Sequence, residues 1–181
     1  MIIAKFSKEM IKILKDMIGH IFCSYVCGNT IAGEAYGNLQ INLDTFAVEV
    51  LNELYVLPFF NLTEDISHFS CKKKSLDELF KPYCIEPTKT HFVSEKILSV
   101  SIIEDEISVN NGEYEINFDM ALIVKTDTHK YIFSREWYFS ENIIISCDKE
   151  FNDIYPISMV EESWSDDGEN KVTINRTMKE L

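Results

Sequence analysis

Residues 114–146 read YEINFDMALIVKTDTHKYIFSREWYFSENIIIS. Ile116, Phe118, Met120, Leu122 and Val124 alternate, as side chains on one face of a strand do. Tyr131, Phe133, Trp137 and Phe139 alternate in the same way beyond the polar turn Thr126-Asp127-Thr128-His129. Joining the two runs through Asp127-Thr128 pairs Val124 with Tyr131, Leu122 with Phe133, Phe118 with Trp137 and Ile116 with Phe139. The apolar faces then coincide, and a slip of one residue would set apolar against polar. Trp137 is expected in the core against Phe118. Arg135 falls on the apolar face opposite Met120, where it should lie over an aromatic ring or reach a buried carboxylate. On the other face the register sets Asp119 against Glu136 and Lys125 against Lys130, like charges that disfavour pairing.

Other hairpins flank this one. Asn110-Asn111-Gly112 is a turn signal that pairs Val109 with Tyr114 and Ile107 with Ile116. Continued, that register buries Asp105 opposite Phe118, so a bulge is expected at Glu104–Glu106. Residues 97–103 and 143–146 read as strands. Leu39, Ile41 and Leu43 face Phe46, Val48 and Val50 around Asp44-Thr45, with Gln40, Asn42 and Glu49 outside. That second strand runs on to Leu57-Pro58, and residues 63–70 read as a loop anchored by Ile66 and Phe69. Residues 157–164 and 171–177 are expected to form a final hairpin around Asp167-Gly168.

Helical signals are few. Ser7 caps an amphipathic helix to Ile18, with Met10, Leu14, Met17, Ile18 and Ile21 as its apolar stripe. Gly19 ends it, and periodicity leaves residues 20–27 open between helix and strand. Ser75-Leu76-Asp77-Glu78 is a capping box opening a short helix to Phe80, stopped by Pro82. The fold class expected is α+β: mainly antiparallel hairpins in a meander, with the N-terminal amphipathic helix packed on the sheet. A partly closed barrel and a duplicated β unit both fit. The 181 residues are read as one domain whose halves, 1–80 and 90–181, meet at a polar segment near 71–90. A shift of 83 residues lays Leu39, Asp44, Thr45, Glu53 and Tyr55 on Leu122, Asp127, Thr128, Glu136 and Tyr138, a faint internal repeat.

The net charge of −13 argues against nucleic acid and against an anionic membrane surface, and suits a basic protein partner. No apolar run approaches the ~18 residues of a membrane span. The N-terminal stretch lacks the pattern of a signal peptide, so the five cysteines are read as reduced thiols of a cytoplasmic protein.

No catalytic or cofactor motif stands out. Asp119 and Glu136, with Glu104 or Glu106 on the next strand, could hold a divalent cation or share a proton, although a solvated acidic face is the simpler account. His20, Cys23 and Cys27 are spaced like zinc ligands but lack a second tight pair. His68 with Cys71 and His91 with Cys84 have only arithmetic in their favour as nucleophile pairs. Gly28, Gly33 and Gly37 are not a phosphate loop. Asn61 and Asn175 open glycosylation triplets that carry no meaning inside a cell. The expected function is therefore a non-enzymatic module, inhibitor- or immunity-like, that binds a basic protein. Its surface would be an outward Trp164 ringed by Glu162, Asp166, Asp167 and Glu169. The alternative is a cation-dependent enzyme or metal-binding protein using the outer-face carboxylates.

Overall fold

Period-two alternation accounts for most of the regular structure, and the helices fill the gaps it leaves. The computed structural model describes residues 1–28, 33–59, 62–83, 87–165 and 168–181. In chain order the elements are β1 (Ile2–Ala4), α1 (Lys8–Asp16), β2 (Ile21–Gly28), β3 (Glu34–Tyr36), β4 (Asn38–Leu43), β5 (Ala47–Phe59), β6 (Leu62–Lys74), β7 (Thr88–Val109), β8 (Tyr114–Thr126), β9 (Lys130–Arg135), β10 (Asn142–Cys147), α2 (Phe151–Ile154), α3 (Ile157–Ser165) and β11 (Val172–Glu180). One open sheet runs β3-β10-β9-β8-β7-β2-β4-β5-β6, with β1 added to β8 and β11 to β7. Every pairing is antiparallel except β1 with β8. The order is that of two meanders, β2-β4-β5-β6 and β7-β8-β9-β10, joined through β2 and β7. Leu39 and Leu122, related by the 83-residue shift, are both buried on the second strand of their meander, and Asp44 and Asp127 both lie in the turn that follows.

The 22-residue β7 is the spine. Its first part pairs with β2, and β11 takes its second part, Val172 opposite Val109 and Ile174 opposite Ile107. β8 lies along the other edge. Ser7 does cap α1, accepting the Met10 N–H, and Gly19 follows the helix with φ +89°. Leu14 and Met17 sink into a core with Phe22, Leu39, Ile41, Phe69, Val100 and Phe133. Ile18 and Ile21, at the end of the expected stripe, are more than a third exposed instead. A second core gathers Ile103, Ile107, Phe118, Met120, Tyr138, Tyr155 and Val160 under α2 and α3.

The central hairpin keeps its register only as far as Ser134, opposite Ala121; Arg135 pairs with Ile143 of β10 and not with Met120. Val124 faces Tyr131, Leu122 faces Phe133 and Lys125 faces Lys130. Beyond that point β1 competes for the edge of β8 and wins, pairing Ile2 with Ile116 and Ala4 with Phe118. The chain leaves the sheet at Glu136, so Trp137 does not face Phe118. Tyr138 packs there, ring centroids 4.9 Å apart, while Trp137 stays half-buried and Phe139 is exposed. Glu136 is exposed and nowhere near Asp119 in the ladder.

Residues 21–27, which periodicity leaves open between helix and strand, belong to β2, and His20 precedes it. Residues 63–70 belong to β6, not a loop, although Ile66 and Phe69 are fully buried. Residues 76–80 make a turn, not a helix: Glu78 accepts the Ser75 N–H at 2.9 Å as a capping box would, but Pro82 leaves no room for a second turn. Asp105 does face Phe118, and the register shifts instead between Ile103 and Glu104, where Met120 is the extra residue of β8. Residues 157–165 are helix α3, because Ile157, Val160 and Trp164 recur at helical spacing behind Pro156. β11 thus pairs with β7 instead of with them.

Candidate functional site

The acidic line from the sequence is only half assembled. Glu104 and Asp119 are cross-strand partners, and Lys5 and Lys179 lie 3.3 and 3.8 Å from Glu104. Asp119 is buried and accepts the Phe6 N–H at 2.5 Å. Burial lifts its pKa from 3.8 to about 6, against the pull of that N–H. Arg135 is buried over the rings of Phe118 and Phe69, at 5.1 and 5.3 Å, and donates to the Ser67 carbonyl. Glu106 is exposed and takes the Asn175 amide, and Glu136 takes Ser140 and Asn142. Asp119, Glu104, Glu106 and Glu136 therefore do not converge on one point.

The described cysteines and histidines have other partners. His20 holds Asp44 at 2.7 Å, His91 stacks on Tyr25 at 4.5 Å, and Cys71 donates to the Met10 carbonyl with its thiol pushed up to about 12 by burial. Cys84 and Asn61 lie outside the described residues. Trp164 is not an outward anchor: it is half-buried on α3, 5.3 Å edge-on to Tyr138. Glu162 and Glu169 are exposed, and Asp166 and Asp167 lie outside the described residues.

A different face does bring aromatic and acidic groups together. Tyr36, Tyr55 and Tyr83 come from three separate segments and are 41%, 46% and 44% exposed. Each donates its hydroxyl to a carboxylate: Tyr36 to Glu141 at 2.5 Å, Tyr55 to Glu53 at 3.4 Å, and Tyr83 to the other Glu53 oxygen. All three phenol pKa values are raised, chiefly by Glu141 for Tyr36 and by burial and then Glu53 for the others, so all stay donors at neutral pH.

Two fully buried asparagines tie together the segments that carry this face. Asn38 donates to Glu49 and to the Lys81 carbonyl, at 2.8 and 2.9 Å, and accepts the Tyr83 N–H at 3.1 Å. Asn52 donates to the Ser140 and Asn142 carbonyls at 2.9 and 3.1 Å. Between them Gly37, at φ +71°, lets the Tyr83 ring lie against the backbone where a Cβ would overlap it. These tyrosines escaped the sequence reading because nothing local links them. The available signal was Asn52, a polar residue in line with Val48 and Val50 on the apolar face of β5, since a buried amide needs partners brought from elsewhere.

Compared with protein-family models, with curated proteins and with solved structures, the chain matches none.

Proposed function

We propose that this chain is a non-enzymatic interaction module that binds a basic protein through the face of Tyr36, Tyr55 and Tyr83. The observation that carries the reading is the coupling of three half-exposed phenol rings to Glu53 and Glu141 on a backbone clamped by Asn38 and Asn52. Ring faces and carboxylates together suit a guanidinium or ammonium group. Tyrosine supplies contact area at little entropic cost, and a pre-set backbone spares the ordering penalty of binding. Residues 53–68 carry Glu53, Glu64 and Asp65 with no lysine or arginine, which extends the negative field along β5 and β6. The overall charge of −13 would speed encounter with a cationic partner and make it salt-dependent. No helix among the described residues is long and apolar enough to cross a membrane. A cytoplasmic setting, in keeping with cysteines that form no disulfide among the described residues, belongs to the same proposal.

The test is capture of basic proteins from native cytosol by the parent and by Tyr55→Ala and Glu53→Gln. A central tyrosine should be worth about 2 kcal/mol or more of binding, roughly a thirtyfold loss of affinity. Equal capture of the same proteins by all three would sink the proposal.

A further inference from the structure

On the second meander, away from the tyrosine face, the end of the β9–β10 pair brings a histidine, a thiol and a carboxylate together. His129 lies in the turn before β9, Cys147 ends β10 opposite Tyr131, and Asp148 follows. One donor atom from each lies within 4.8 Å of the others, the one such group among the described residues. His129 Nδ1 stands 2.6 Å from an Asp148 carboxylate oxygen. The backbone fixes Asp148: at φ +55° it donates its N–H to the Lys130 carbonyl at 2.8 Å, and its other oxygen accepts the Lys130 N–H at 2.9 Å. The far side of the ring is also served. Glu95 Oε1 lies 3.7 Å from His129 Nε2, and Glu95 Oε2 takes the Thr126 hydroxyl at 2.6 Å.

We infer that His129, Cys147 and Asp148 form a site for a divalent transition metal, zinc above all, independent of the partner-binding face. Nitrogen, sulfur and oxygen donors in one set suit a borderline metal, whereas calcium and magnesium want oxygen alone. In a tetrahedral zinc site the donor atoms stand roughly 3.3–3.6 Å apart, so small side-chain rotations suffice. With Nδ1 on the metal, Nε2–H points at Glu95, a carboxylate that orients a ligating imidazole. Three protein ligands leave a fourth position for water. Binding displaces the thiol proton of Cys147 to solvent, and the metal–sulfur bond forms in its place. The site is open to solvent, since all three side chains are at least partly exposed. The first meander has a His20–Asp44 pair at the same kind of distance, 2.7 Å, but Cys23 turns its thiol to the Ile21 carbonyl. That cluster is the internal control.

The experiment is titration of the full chain, reduced and chelator-free, with Co²⁺ and Zn²⁺. One equivalent of Co²⁺ should produce a thiolate-to-cobalt charge-transfer band, displaced by Zn²⁺ and untouched by Mg²⁺ or Ca²⁺. Cys147→Ser should abolish the band, and Cys23→Ser should leave it intact. Glu95→Gln should weaken zinc by about tenfold and His129→Ala by about a hundredfold or more, with thermal melting of the apo proteins unchanged. Absence of saturable binding, a band that survives Cys147→Ser, or a band lost in Cys23→Ser overturns the assignment.

Discussion

Asp105 and Asp119 lie on neighbouring strands, both are buried, and each has an arginine in its surroundings, yet only Asp105 is a completed ion pair. Arg176 meets it with two parallel bonds of 2.7 Å and still donates to Asn152 and the Tyr155 carbonyl. Its guanidinium also lies over Phe151 at 4.6 Å. Asp119 has the Phe6 N–H on one oxygen, while Arg135 turns its nitrogens to the carbonyls of Ser67 and Ala4. A bidentate arginine satisfies a buried carboxylate in full; one amide does not. The difference teaches that a raised carboxyl pKa here reports an incomplete shell around a structural residue. Asp119 is held away from solvent, and the acid paired across from it, Glu104, has its own lysines.

The comparison breaks most visibly at the complete pair. Asp105→Ala should leave Arg176 buried without its counter-charge and cost roughly 3–5 kcal/mol in denaturant unfolding. Arg176→Met should cost about the same, and the double variant Asp105→Leu/Arg176→Met much less than the sum. Single losses under about 1 kcal/mol would show that the two bonds are replaceable by water.

The incomplete shell predicts a pH effect of opposite sense to the usual carboxylate. With a folded pKa of about 6 against 3.8 unfolded, the folded state binds the extra proton between those values. Stability from this group is therefore fully present below about pH 3.8 and is lost as pH rises through about 6. The parent should lose up to about 3 kcal/mol relative to Asp119→Asn between pH 4 and pH 7. A difference that stays flat, or that grows in the parent's favour, would mean that Arg135 completes the shell after all.

Phe118 packs against Tyr138 and not against Trp137, for a physical reason. Alternation is a local signal. It carried the turns and the first pairs of β4–β5, β7–β8 and β8–β9, where both strands lie close in the chain. It could not say that three residues at the N-terminus, Ile2–Ala4, would take the edge of β8 and expel residues 136–139 from the ladder. Nor did it separate strand from helix at Ile157, Val160 and Trp164, where a few apolar residues fit both periods. The candidate face was illegible because Tyr36, Tyr55 and Tyr83 lie on segments far apart in sequence, and their carboxylate partners Glu141 and Glu53 give no local signal. Trp137, half-buried and outside the sheet, should accordingly matter less than a core aromatic. Trp137→Ala should cost about 1–2 kcal/mol, where a core Trp would cost roughly 3–5.

The smallest effect on stability belongs to the tyrosine face, and it separates the charges that hold the fold from those offered to a partner. Tyr55 is nearly half exposed, and its bond to Glu53, at 3.4 Å, is long. A surface side chain with one weak bond contributes within about 0.5 kcal/mol. Tyr55→Ala should therefore melt within about 2 °C of the parent while losing capture of basic proteins. The buried acids should behave in the opposite way, with Asp105→Ala unfolding the protein before any question of binding arises. A Tyr55→Ala protein that melts well below the parent would place this ring in the fold, and the binding face would have to be sought elsewhere.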